Sequence, residues 1–140
     1  MADSLWMRLR EVRWEQFTCT PAPKKSLPKM LENLASRKEA RAMKASHELW
    51  VALCSEGIQP AAEPCLPFLI EILGISEAAV QGEILDLLLQ FTQLPNDTSA
   101  QEWQKYIRMM LHQQHRYFTK LSHSRDAIIA DKAHQMLELI

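Results

Sequence analysis

The sequence predicts an all-α protein, one domain over residues 1–140, built of about six helices in stacked antiparallel pairs. Three observations lead there. Apolar residues recur at three- and four-residue spacing along most of the chain. No segment sustains a period of two with β-branched enrichment, so no strand is expected. Only three glycines occur in 140 residues, too few for the turns of a sandwich or barrel, or for a Gly-rich phosphate loop. With 47% hydrophobic and 24% charged residues the chain has the composition of a globular protein and not of a disordered one.

The first helix is expected over 4–17, where Leu5, Leu9, Val12 and Gln16 share a face beside Trp6, Arg13 and Phe17. Pro21 and Pro23 make residues 18–25 a loop. Ser26 can cap a short helix from Leu27 to about Leu34, with Pro28 in its first turn. Ser36 and Glu39 have capping-box spacing and open a long helix, which Gly57 and Pro60 close. Ala42, Ala45, Leu49 and Ala52 form one of its stripes, and Met43, Trp50 and Cys54 another.

Residues 62–73 carry two apolar faces, which calls for burial between neighbouring helices. Pro64 and Pro67 fall in the first turns of that helix, where a missing N–H matters least. Ser76 is the expected cap of the next helix, with Val80, Ile84, Leu87, Leu88 and Phe91 inward. Pro95-Asn96-Asp97 is a turn. Residues 99–121 read as one helix with Trp103, Ile107, Met110, Phe118 and Leu121 at helical spacing. Ser124 caps the last, lined by Ile129, Ala133, Met136, Leu137 and Ile140.

The pairs repeat weakly. Ser36 and Ser76 stand 40 residues apart, and at that offset Ala42 meets Gly82, Ala45 meets Leu85 and Leu49 meets Leu89. A helix-turn-helix unit of about 40 residues is the period of HEAT and armadillo repeats. Such a unit cannot bury its apolar face alone, so units stack into a solenoid; an irregular helical bundle is the competing arrangement.

Residues 45–50 (Ala-Ser-His-Glu-Leu-Trp), then Ser55-Glu56-Gly57, Pro60-Ala61-Ala62 and the run Leu66-Pro67-Phe68-Leu69-Ile70-Glu71-Ile72-Leu73 follow one another in order. Together with Leu27-Pro28-Lys29-Met30-Leu31, this order resembles a bacterial family of small HEAT-like repeat proteins. The resemblance spans roughly residues 12–92, and its motifs are structural. The loop here is the short Gly57-Ile58-Gln59-Pro60, where the family has a longer, aromatic one. The resemblance implies a binding scaffold, of a kind that occurs beside bacterial toxins as immunity proteins. HEAT-like folds also include base-excision glycosylases, which need a basic groove with aromatic residues and an acid. The middle of this chain has no basic residue, which argues against that activity.

No residue set makes a convincing catalytic, cofactor or metal site. His112 and His115 are three apart, half of a metal site without the rest, and read as solvated. His47 beside the Met43, Trp50 and Cys54 stripe reads as a partly buried, hydrogen-bonded histidine. Ser46, His47 and Glu48 are adjacent on a helix and point apart, so they form no triad. Cys54 lies two turns from His47, too far for proton transfer. Glu83 and Asp86 share a helix face and could do acid–base work, but such pairs are usually solvated.

Cys19, Cys54 and Cys65 are an odd set without close pairs, so free thiols are expected. The N-terminus has no apolar core of signal-peptide length, and no stretch reaches ~18 uncharged apolar residues. A cytoplasmic protein with no membrane contact follows as the expectation.

Charge is distributed unevenly. The formal net charge is −1, which excludes a generic nucleic-acid-coating protein. Residues 1–45 hold 10 Lys+Arg against 5 Asp+Glu, a balance of +5. Residues 46–104 hold nine acids and neither Lys nor Arg. Residues 105–140 hold 6 Lys+Arg against 3 Asp+Glu, a balance of +3. Carboxylates gathered this way repel one another. Two arrangements neutralise them within the protein: the basic ends fold back on the middle, or a homodimer pairs end to middle. The third is an acidic surface that meets a basic protein partner.

The expected function is therefore a non-catalytic, toxin-neutralising immunity protein, the toxin being basic and nuclease-type. Glu63, Glu71, Glu83, Asp86 and Glu102 are the expected charge partners, with Trp103 and Tyr106 as anchors. The alternatives are an enzyme acting on nucleic acid and a housekeeping assembly scaffold.

Overall fold

A computed structural model describes residues 4–17 and 26–140. Among these residues the chain forms eight α-helices and one short 3-10 helix, and no strand beyond an isolated Ser55–Gly57 bridge. The helices are α1 (Leu5–Glu11), α2 (Leu27–Leu34), α3 (Glu39–Cys54), α4 (Ala62–Ile75), α5 (Ala78–Phe91), α6 (Glu102–Gln113), α7 (His115–Leu121) and α8 (Ala127–Leu139). The all-helical class is as expected; two of the expected helices are broken, the first giving α1 and the 3-10 turn, and the 99–121 helix giving α6 and α7, which takes the α-helix count to eight. The 18–25 loop and Cys19 lie outside the described residues.

The first break has a clear cause. Ser4 caps α1 by accepting from the Met7 amide, but the helix stops at Glu11 and Val12 is extended. In a continuous helix the Leu9 carbonyl would accept from the amide of residue 13. Here the Trp14 indole Nε1–H donates to it instead, at 2.8 Å. Trp14 thereby turns inward, 6% exposed, with its ring 6.5 Å from that of Phe68 on α4. Burying that ring outweighs another turn of α1, and Trp14–Gln16 form the 3-10 turn.

The second break lies at Gln114 (φ −92°, ψ 14°), which splits the expected 99–121 helix into α6 and α7. α6 packs on α4, whereas α7 packs on α8. One straight helix would not serve both contacts. Residues 99–101 precede α6, whose first turn is held by reciprocal Gln101 and Gln104 bonds.

Several expected caps act elsewhere. Ser36 accepts from the Lys38 amide at 3.1 Å, and α3 begins three residues after it, so no Ser36–Glu39 box forms. Ser124 makes the same turn ahead of α8, where Asp126 is the cap and accepts from Ile128 and Ile129. Ser76 closes α4 rather than opening α5, donating to the Ile72 carbonyl at 2.6 Å. Ser26 holds the N-cap position of α2 without a capping bond. Pro64 is in the first turn of α4, but Pro67 is interior, so the Glu63 carbonyl lacks that helix partner.

The expected stripes are where the core lies. Leu27, Leu31 and Leu34 of α2, Ala42, Ala45, Leu49 and Ala52 of α3, and Ile129, Ala133 and Met136 of α8 are buried. Small residues on α3 let its backbone approach its neighbours closely. α4, with two apolar faces, contacts α2, α5 and α6. The other main contacts run α1–α2, α2–α3, α3–α5, α5–α8, α6–α7 and α7–α8. Neither Cys65, which is buried, nor Cys54, which is half-buried, is in a disulfide, and burial pushes the Cys54 pKa up to about 12. Among the described residues no helix is long and apolar enough to cross a membrane.

Candidate functional site

An open groove lies across α3, α5 and α8. Each helix presents one stripe to it, set by helical periodicity. On α3 these residues are Met43, His47 and Trp50, spaced by four and three. On α5 and just beyond they are Glu83, Asp86, Gln90 and Gln93. On α8 they are Ile128, Lys132, Gln135 and Leu139, every three or four residues.

The groove has two lobes, of about 570 and about 420 Å³. Glu83 lines both. The earlier residues of each helix (Met43, Ala79, Ile128) line the smaller lobe and the later ones (Trp50, Gln93, Leu139) the larger.

Its charges are only partly balanced. Lys132 Nζ lies 3.0 Å from an Asp86 carboxylate oxygen and 3.3 Å from the Gly82 carbonyl. A Cβ at Gly82 would lie 3.5 Å from Lys132 Nζ, an ordinary contact, so the approach does not require glycine. Glu83 precedes Asp86 by one turn, and among the described residues no cation stands within ion-pair distance of it. The groove is therefore a carboxylate-bearing channel with an exposed apolar side chain near each end, and Asp126, the α8 cap, lines the Ile128 end as well. Ile128 is 63% exposed at one end and Leu139 42% exposed at the other.

Only two of the sequence-derived site residues lie in the groove. Glu83 and Asp86 line the groove, and Glu63, Glu71, Glu102, Trp103 and Tyr106 do not. Glu71, on the exposed side of α4, is gripped by both Arg8 guanidinium nitrogens, at 2.6 and 2.9 Å. Glu63, in the first turn of α4, is half-buried, and loss of water holds its carboxyl above the usual carboxylate range. Glu102 stands 3.8 Å from Lys105. Trp103 is half-buried and donates to Gln101 Oε1 at 2.9 Å, while Tyr106 is 45% exposed on α6.

The middle of the chain, free of Lys and Arg in sequence, is thus not free of cations in space. Arg8 and Lys132, from the two basic ends, each take one of its acids. His47 is exposed in the groove rather than partly buried, and Ser46 donates to the Met43 carbonyl at 2.7 Å. His112 and His115 are exposed, on α6 and α7 respectively.

Sequence reasoning did not bring His47, Trp50 and Lys132 to the acids. One signal was available. Ile128 and Leu139 fall off the buried Ile129, Ala133 and Met136 stripe of α8, so they are apolar residues on its polar face.

Comparison of the chain with protein-family models, with curated proteins and with solved structures finds no match.

Proposed function

We propose that the chain is a non-catalytic protein-binding module, a HEAT-like α-solenoid that acts as a cytoplasmic immunity protein against a basic, nuclease-type toxin. The observation that carries the binding role is Glu83, a carboxylate without a counter-ion among the described residues, at the junction of a two-lobed groove. A carboxylate left that way gains from a partner's cation, and complementary charge speeds encounter and rejects wrong partners.

Two further observations support parts of the reading. α2, α4 and α6 contact one another in sequence, as do α3, α5 and α8, which is the succession a stack of helix pairs needs. Asp86 is committed to Lys132, which leaves Glu83 without a free carboxylate beside it for acid–base work and favours binding over catalysis. The toxin itself is implied by the resemblance of residues 12–92 to the HEAT-like repeat family. Outside the groove, Glu71 and Glu102 already have cations, while Tyr106 is exposed on α6.

The test is co-expression with the product of the neighbouring gene. A co-purifying complex that weakens with salt, together with rescue of growth when that product is toxic, supports the reading. Growth arrest unrelieved by this chain overturns it.

A further inference from the structure

We infer that the groove across α3, α5 and α8 receives an amphipathic helix of the partner, about three turns long, with a Lys or Arg at its centre. The inference rests on the protein-binding reading above and adds the surface, the shape and the residue pattern of the occupant.

Length comes first. Ile128 and Leu139 mark the two ends of the α8 stripe, and the offset of 11 residues from one to the other rises about 16 Å at 1.5 Å per residue. About three turns of a partner helix span that distance. A single side chain would fill one lobe only, and Glu83 belongs to both.

The chemistry along the groove is ordered. Exposed Ile128 and half-buried Met43 stand at one end. Exposed Leu139, with half-buried Trp50 and Leu89, stands at the other. Glu83 lies between them. An occupant that matches is apolar, basic, apolar along one face, the pattern by which a helix lays its side chains into a groove. The cation goes to Glu83 because Asp86 already holds Lys132 at 3.0 Å. Gln90, Gln93 and Gln135 line the larger lobe with amides that can donate and accept, so a polar flank is tolerated there. Trp50 offers a ring for the alkyl stem of a lysine or the plane of a guanidinium.

A second copy of this chain is the competing occupant. Light scattering separates the two.

The experiment uses the full chain, isotope-labelled, titrated with two synthetic peptides. One has Leu at positions i and i+11, Arg at i+4 and i+7, and Ala and Gln elsewhere. The other has Glu in place of Arg. The arginine peptide is expected to shift the resonances of Glu83, Gln90 and Gln135 and the Trp50 indole N–H, and to bind at least tenfold more tightly than the glutamate peptide. Glu83→Lys and Ile128→Glu should each weaken it at least tenfold with the melting transition retained. Ile128 is exposed, so its variant keeps the test valid if Glu83→Lys fails to fold.

Shifts confined to α6 around Tyr106, equal affinity for both peptides, or a dimer that Ile128→Glu dissociates would overturn the groove assignment. A natural partner that binds both variants as tightly as the unaltered chain would overturn it while leaving protein binding intact. Groove binding of the peptide without rescue from any toxin would overturn the immunity reading alone.

Discussion

Lys132 on α8 places its Nζ 3.0 Å from a carboxylate oxygen of Asp86 on α5, a contact between residues 46 apart in the chain. Arg8 on α1 does the same for Glu71 on α4, across 63 residues and with both nitrogens of its fork. A central segment that holds nine acids and no Lys or Arg is therefore partly neutralised from both ends. The pairs are partly exposed, so each is worth little to stability. Their larger effect is to determine which acids remain available, and Glu83 is one that does.

Replacing Lys132 tests that division. Lys132→Gln is expected to change stability by only about 0–1 kcal/mol, because the pair is partly solvated. The same substitution releases Asp86 and adds a negative charge to the groove. Association with a basic partner should then be faster at low ionic strength, and the gain should shrink as salt screens it. Stopped-flow association across a salt series would measure both.

Trp14 should matter beyond its bulk. Trp14→Phe keeps an aromatic ring against Phe68 but removes the donor to the Leu9 carbonyl. An acceptor left unsatisfied there costs about 1–3 kcal/mol. Urea denaturation should show that loss, and hydrogen exchange should quicken in α1 before it quickens in α3.

Two glycines predict opposite outcomes. Gly57 has φ +91° with open space around its Cβ position, so Gly57→Ala is opposed by backbone strain alone, about 1–2 kcal/mol. Gly82 sits inside α5, and its nearest neighbour, Lys132 Nζ, would lie 3.5 Å from a Cβ, an ordinary contact. Gly82→Ala should stabilise by about 0.5–1 kcal/mol through lower unfolded-chain entropy. Denaturant midpoints of the two variants should fall on opposite sides of the parent.

Glu63 predicts a pH dependence. Burial raises its folded-state pKa above the unfolded value. Its contribution is therefore most favourable below the unfolded pKa, where both states are protonated, and is lost as pH rises through the folded value. Glu63→Gln should gain stability relative to the parent at about pH 7 and lose that advantage near about pH 4. Thermal melts at the two pH values check the sign.

The helical class and most buried stripes were legible in the sequence. Ala42, Ala45, Leu49 and Ala52, or Val80, Ile84, Leu87 and Leu88, repeat at a spacing that only a helix buries on one side. Helix ends were less legible, because they depend on which donor reaches a carbonyl first. Trp14 ends α1 by taking the bond that residue 13 would have made, and no local pattern around residues 4–17 predicts that a ring will prefer Phe68.

The candidate site divides the same way. By itself the sequence determined that acids fill the middle and cations the ends, since charge order along a chain is covalent. Only the tertiary structure decided that Lys132 folds onto Asp86, that Arg8 holds Glu71, and that Glu83 faces a groove with Trp50 and His47. Those partners come from helices far apart in sequence. Their meeting depends on which apolar faces pack together, and a salt bridge forms only where that packing brings the charges within reach.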